Sequence, residues 1–288
     1  MTRRQRLPAR PNPRVLVYAA LCAIMVAVGW TSVIIVAPAA HAVSTTPSAP
    51  AADPSVQATA AVPTPSPTAS PSPTPSPVVT PVPSPTRTAF EIDLYRPGTF
   101  VSQMNRDYCM AGAIQNMLNI MGPAIDLSTG WQQLIGSTLV SLTTRQDSYN
   151  GGFGPGGWAL TMAWFGAGKY KLVVDATFDQ AMKDAALALS ETQRPVGLLT
   201  WWGAHSWVMT GFKADSDPLL FPDSFKLTGA YIVDPFYPRI SNIWGQTLPP
   251  DTFRDMAAMA HNYIGWKRPE GHYPDRDGKW LLVIPVDD

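Results

Sequence analysis

From Ser44 to Thr88 the chain is written almost entirely in Pro, Ser, Thr, Ala and Val, with runs such as Pro63-Thr-Pro-Ser-Pro-Thr and Pro71-Ser-Pro-Thr-Pro-Ser-Pro77. Of the 30 prolines, 13 lie there. Proline lacks the amide donor that helices and sheets need, and the small polar residues around it cannot bury enough apolar area to hold a core. The tract is expected to be a disordered linker biased to polyproline II, a semi-rigid spacer of about 3.1 Å per residue when extended. Its Ser/Thr density beside Pro also suits O-glycosylation. It divides the 288 residues into a head, 1–43, and a body, 89–288, and only the body has the size of a packed domain.

Charge divides at the same place. The whole chain balances 21 Lys+Arg against 21 Asp+Glu, yet the head carries five Arg and no acid, while the body carries 20 acids and 15 bases. A net negative body argues against nucleic acid as a partner, since phosphate binding concentrates positive charge on the folded part. In the head the Arg cluster runs into Val15–Val36, 22 residues without a charge, and then into Ala40-His41-Ala42. This reads as an export segment: a signal peptide cleaved near Ala42, or an uncleaved anchor through residues 15–36, since about 20 apolar residues span a bilayer. In both cases the positive-inside rule sends the body out of the cytoplasm, tethered to the membrane or secreted.

The body reads as helices first and strands last, an α+β pattern. Asp107 is placed to cap a helix running to about Met121, with Ala113, Ile114, Met117, Leu118 and Met121 on one stripe and Gly122 as its stop. Helices are expected over 129–140, 157–166 and 177–190, and Thr252–Tyr263 is compatible with another. Strands are expected over Pro195–Trp201, Ser206–Phe212, Ala230–Val233 and Lys279–Val286, each short and bounded by Gly, Pro or Asp.

The two cysteines, Cys22 and Cys109, cannot build a disulfide framework, and Cys22 belongs to the head. A lone cysteine outside the cytoplasm is either a buried, inert apolar residue or a reactive thiol. Cys109 falls in the first turn of the expected helix, where unpaired N–H groups and the helix dipole favour a thiolate. A thiolate nucleophile needs a histidine. His41 lies in the head, and His261 and His272 read as surface or satisfied residues. His205 instead opens a strand directly after a loop, where a rigid sheet presents a ring to a cleft. A third group must orient that ring, and Asp234 closes the next strand; antiparallel pairing would bring it beside His205, although alone it reads as a turn aspartate before Pro235. Trp201, Trp202 and Trp207 crowd this histidine, with Trp201 or Trp202 as candidates to line a cleft and Trp207 suited to core packing.

Gln103 six residues before Cys109, a helix opening at that cysteine, His-x-Trp-Val-x-x-Gly-Phe from His205, and a strand ending Val-Asp-Pro at Asp234 together resemble the papain-like cysteine peptidases. The resemblance is to the group similar to bacteriocin-leader (double-glycine) peptidases, and it covers about residues 103–234. It implies a papain-like fold, with the nucleophile helix in an N-terminal helical part and a C-terminal antiparallel sheet. It further implies Cys109 as nucleophile, His205 as general base and acid, Asp234 as orienter, and Gln103 with the Cys109 backbone N–H as oxyanion donors, with no cofactor or metal. Two departures stand out: Met110 follows the nucleophile where that group usually has Gly, and no transporter segment is found in the sequence. The expected function is an extracytoplasmic cysteine-type peptidase acting on a peptide or protein substrate. The alternatives are a cell-wall amidase or endopeptidase of the same chemistry, and a catalytically inactive papain-like module that binds surfaces through its Trp-rich face.

Gly152-x-Gly154-x-x-Gly157 followed by Lys171–Asp175 mimics a dinucleotide-binding fingerprint, but Arg145–Asn150 ahead of it reads as loop rather than strand. Asp215-Ser-Asp217 and Asp275-Arg-Asp277-Gly278 lack the downstream Glu of a calcium loop and read as turns. There is no His-Glu-x-x-His and no cysteine pair for zinc.

Overall fold

The computed structural model of the protein describes residues 84–148 and 151–287. The expected export segment, and the expected linker as far as residue 83, lie outside the described residues. Among these, the chain forms β1 (Phe90–Asp93), α1 (Cys109–Met121), α2 (Thr129–Leu142), α3 (Pro155–Trp164), β2 (Tyr170–Asp175), α4 (Phe178–Thr192) and β3 (Val196–Thr200). It continues with β4 (His205–Ala214), β5 (Leu227–Val233), β6 (Ile240–Ser241), β7 (Gly245–Gln246), β8 (Thr252–Asp255), α5 (Met256–Asn262) and β9 (Trp280–Pro285). The architecture is α+β with a mostly antiparallel sheet, as the sequence predicts. No helix among the described residues is long and apolar enough to cross a membrane.

Six strands hydrogen-bond in the order β2-β9-β3-β4-β5-β8, and β1 joins through β4. Ten-residue β4 is the spine. β3 borders its first half, from Thr200↔His205 to Val196↔Met209; β1 borders its second half, from Asp93↔Gly211 to Phe90↔Ala214; β5 runs along its other side. β6 and β7 make a separate small hairpin.

Successive strand residues point to opposite faces, and both faces of this sheet are covered. Leu198, Trp207, Met209, Ile232, Leu282 and Ile284 pack with Met182, Leu189 and Met259 of α4 and α5. Their neighbours Leu199, Val208, Val233, Leu281 and Val283 pack with Ile114, Met117, Ile135, Leu139 and Trp158 of α1, α2 and α3. Burial on both sides explains why β3 and β9 show apolar runs rather than alternation in sequence. Each fully buried side chain of this kind contributes about 1.5–3 kcal/mol.

Helix starts follow capping chemistry: the side chains of Ser128, Thr177 and Asp255 accept from the N–H groups of Trp131, Gln180 and Ala258. The Asp255 cap corrects the expected helix over Thr252–Tyr263. Its first four residues are strand β8, paired through Tyr231↔Phe253, and the helix begins only after the capping carboxylate. β1 is a further strand without a counterpart in the sequence prediction. Just ahead of it, Arg87 donates to Ser224 O (3.2 Å), Ser224 Oγ and Ser216 Oγ (3.3 Å), and its guanidinium lies 4.6 Å from the Phe221 ring centroid. The incoming chain is thereby pinned to the β4–β5 connection.

Candidate active site

α1 opens at Cys109 itself, with Tyr108 as the capping residue and no side-chain cap hydrogen bond. The expected Asp107 cap does not form, because Asp107 sits one residue too early, its own N–H donating to Asn105 Oδ1 at 2.9 Å in the preceding turn. The first turn of α1 carries no acidic residue. The positive end of the helix dipole therefore acts on the Cys109 sulfur without a competing carboxylate. Gly112, one turn on, is the close-approach point: a Cβ there would lie 3.1 Å from the Cβ atoms of both Gln103 and Pro235. Its missing side chain lets the Gln103 segment and the end of β5 close together on the helix that opens at Cys109.

Val208↔Val233 pairing sets the other half of the site. His205 lies toward the start of β4 and Asp234 directly follows β5, so antiparallel geometry brings both to the same end of the sheet. His205 Nε2 lies 2.7 Å from Asp234 Oδ1, with the side chains only 3% and 7% exposed. The same carboxylate oxygen accepts from Phe236 N–H at 2.8 Å, which fixes its orientation. With Nε2 held by Asp234, Cys109 is the other group near the ring whose presence favours the charged imidazole. Burial opposes charging of the ring. The Asp234 charge and hydrogen bond, aided by Cys109, outweigh it and raise the His205 pKa from 6.5 to about 9. A partly exposed thiol, a base held as imidazolium at neutral pH and a buried carboxylate bonded to that base thus stand together at one end of the sheet. Such a set can move a proton from sulfur to imidazole and return it to a departing group.

Aromatic rings enclose this series. Trp201 stacks on His205 (centroids 4.0 Å apart, planes 23°), and Phe236 meets the ring edge-on at 5.9 Å. Trp244 lies nearly parallel to Trp201 at 5.8 Å and edge-on to Trp202 at 4.9 Å. The Trp201 indole N–H donates to buried Asn262 Oδ1 at 3.1 Å. Trp201, Trp202 and Gly203 have φ of 55°, 59° and 83° in succession. Left-handed backbone at a bulky residue costs on the order of 1–3 kcal/mol and persists only when its surroundings enforce it; here the stack on His205 and the Asn262 bond are such constraints. Trp207, 1% exposed, belongs to the core. Phe236, Trp244 and Asn262 escape the sequence reading. Phe236 alone had a local signal, two residues beyond Asp234 in Asp-Pro-Phe.

Gln103 reaches the site but is differently engaged from the expectation. It is fully buried, its backbone N–H donates to Pro235 O at 2.7 Å, and its side-chain Nε2 donates to Asn105 O (2.7 Å) and Arg106 O (3.2 Å). Its Oε1 is buried without a hydrogen-bond partner. In this arrangement the amide braces the loop leading into Cys109 rather than pointing free donors at substrate.

The glycine segment ahead of α3 is not a phosphate cradle. Asp147, 9% exposed, accepts from Gly157 N–H at 2.9 Å and pairs with Arg276 Nη2 at 2.7 Å, so a carboxylate occupies the helix N-terminus. Asp217 and Asp277 are turn residues, accepting from the N–H groups of Leu219 and Gly271 at 2.8 Å. No group of three or more His, Cys, Asp or Glu among the described residues is placed to hold a metal ion. Comparison of the chain with family models, with curated proteins and with solved structures finds no match.

Proposed function

We propose that the body is a papain-like cysteine hydrolase, a peptidase that works outside the cytoplasm. The observation that carries this reading is the buried His205–Asp234 bond at 2.7 Å, supported by Cys109, which opens a helix and helps hold the ring charged. Cys109 Sγ attacks the scissile carbonyl carbon, and the electron pair of the C=O bond moves onto oxygen. The Cys109 backbone N–H, free of an intrahelical partner by its position, donates to that oxyanion; one such donor is worth about 10²-fold or more in rate. Gln103 joins it by exchanging its longer contact, the one to Arg106 O at 3.2 Å, for the oxyanion. The imidazolium then protonates the departing amine as the C–N bond breaks, leaving a thioester. A water, deprotonated by His205, attacks that thioester and releases the acid with Cys109 restored. Trp201 and Phe236 keep water away from the ring and so strengthen each electrostatic step.

The test is alkylation of Cys109 by iodoacetamide at pH 6 in the full chain, followed by mass spectrometry of the Cys109 peptide so that Cys22 does not interfere. Cys109 is expected to react at least about tenfold faster than glutathione, since a free thiol is scarcely ionised there. Casein digestion, lost in Cys109→Ala, identifies a peptidase; release from peptidoglycan without casein digestion identifies the cell-wall amidase or endopeptidase. Alkylation no faster than glutathione, or full turnover in Cys109→Ala, would sink the catalytic reading and leave the surface-binding module.

A further inference from the structure

The most exposed large apolar side chains among the described residues are Ile243 at 68% and Ile240 at 65%, and both belong to the β6–β7 hairpin. Water-facing apolar groups clustered in one small element mark a contact surface rather than a fold requirement. This hairpin lies against the catalytic end of the sheet. Its Trp244 stacks over Trp201, which stacks over His205, and Trp244 also meets His261 of α5 edge-on at 6.2 Å.

The hairpin is fixed rather than loosely draped. Ser241 Oγ accepts from the N–H groups of Ile243 (3.3 Å) and Trp244 (3.1 Å), and Thr247 Oγ1 donates to Arg239 O at 2.6 Å. Arg239 Nη2 in turn donates to Met104 O at 3.4 Å, tying the hairpin to the loop that carries the nucleophile. Its charge is as telling as its apolarity. In a body of 20 acids and 15 bases, residues 235–250 hold one charge, Arg239, whose guanidinium is turned to Met104 and to the Phe236 ring 5.8 Å away. A charged substrate side chain laid on this wall would lose hydration without gaining a partner, whereas an apolar one gains burial.

We infer that the β6–β7 hairpin is the specificity wall of the site and selects substrates with a large apolar or aromatic side chain next to the scissile bond. This rests on the cysteine-hydrolase reading. Its test uses two electrophiles with the same leaving group, iodoacetamide and N-benzyl iodoacetamide, each referred to its rate with glutathione. In the full chain the benzyl reagent is expected to alkylate Cys109 with about a tenfold advantage over iodoacetamide, the discrimination one apolar group commonly provides. The advantage should collapse in the double variant Ile240→Ser, Ile243→Ser, whose sites are too exposed for the change to unfold the chain. It should persist in Leu219→Ser, an equally bare apolar residue, 50% exposed, beyond the opposite end of β4. No benzyl advantage in the parent chain, or one that survives the double variant, overturns this inference while fast iodoacetamide alkylation leaves the cysteine-hydrolase reading standing. Slow iodoacetamide alkylation removes that reading and the specificity wall with it.

Discussion

Replacing Asp234 by Asn separates charge from shape at the centre of the site. The variant keeps Oδ1 in place to accept from His205 Nε2 and from Phe236 N–H, 2.7 and 2.8 Å away, and removes only the negative charge. In the parent chain that charge and its hydrogen bond hold the His205 pKa at about 9 against burial. The distance from 6.5 to about 9 is on the order of 3 kcal/mol of preference for imidazolium. Without the charge, burial of a ring only 3% exposed dominates, and the pKa is expected below 6.5. At pH 7.5 the imidazolium share then falls from about 97% to under about 10%, and any step that needs it slows at least about tenfold. The direct assay is titration of the His205 imidazole signals by NMR, assigned by their loss in His205→Ala, alongside iodoacetamide alkylation of Cys109 at pH 7.5. A ring that still titrates near 9 in Asp234→Asn, or alkylation with an unchanged pH profile, would refute the electrostatic argument. The stability linkage has the matching sign: the contribution of His205 is full below about 6.5 and is lost as pH rises through about 9.

Arg276→Met strands the Asp147 carboxylate in a site where the two partners are only 13% and 9% exposed; a loss of about 3–5 kcal/mol is expected in urea unfolding, with recovery in Asp147→Asn, Arg276→Met, and a loss under about 1 kcal/mol would contradict it. Asn262→Leu leaves the buried Trp201 indole N–H without its acceptor. It should cost about 1–3 kcal/mol and slow Cys109 alkylation, because Trp201 holds the His205 ring; an alkylation rate equal to the parent's would remove Trp201 from that role. Burial, then the neighbouring Asp93 charge, raise the Asp251 pKa from 3.8 to about 6. The stability this carboxyl contributes is full below about 3.8 and lost as pH rises through about 6, so the urea midpoint of the parent should fall relative to that of the non-titrating Asp251→Asn over that interval.

What sequence reasoning could and could not reach follows from the range of the interactions. The helix opening at Cys109, the strand opening at His205 and the strand that leads into Asp234 are local patterns: an apolar stripe with a glycine stop, and short apolar runs between turn residues. Once β4 and β5 are read as neighbours, antiparallel pairing alone brings Asp234 to His205. The Asp107 cap failed because residues 105–108 satisfy one another in a turn before the helix begins, so a good capping residue falls one position short of the cap. β8 was hidden because Thr252–Asp255 runs straight into a helix, and only the Asp255 cap bond marks the change of period. The ring of Trp201, Phe236 and Trp244 around His205 spans 44 residues of chain, and no periodicity links aromatic residues that meet only after folding. Gln103 was read as an oxyanion donor, and its two loop acceptors, Asn105 and Arg106, depend on backbone torsions that residue types do not disclose.

The register of β4 also gives the domain a base and a working tip. Phe90 pairs with Ala214 and β9 ends at Pro285 beyond Val283↔Gly197, so β1 begins and β9 ends on the side of the sheet away from His205. β4 spans ten residues, about 30 Å at roughly 3.3 Å per residue. An attachment made just ahead of Phe90 or just after Pro285 therefore joins the domain at the end of the sheet away from His205.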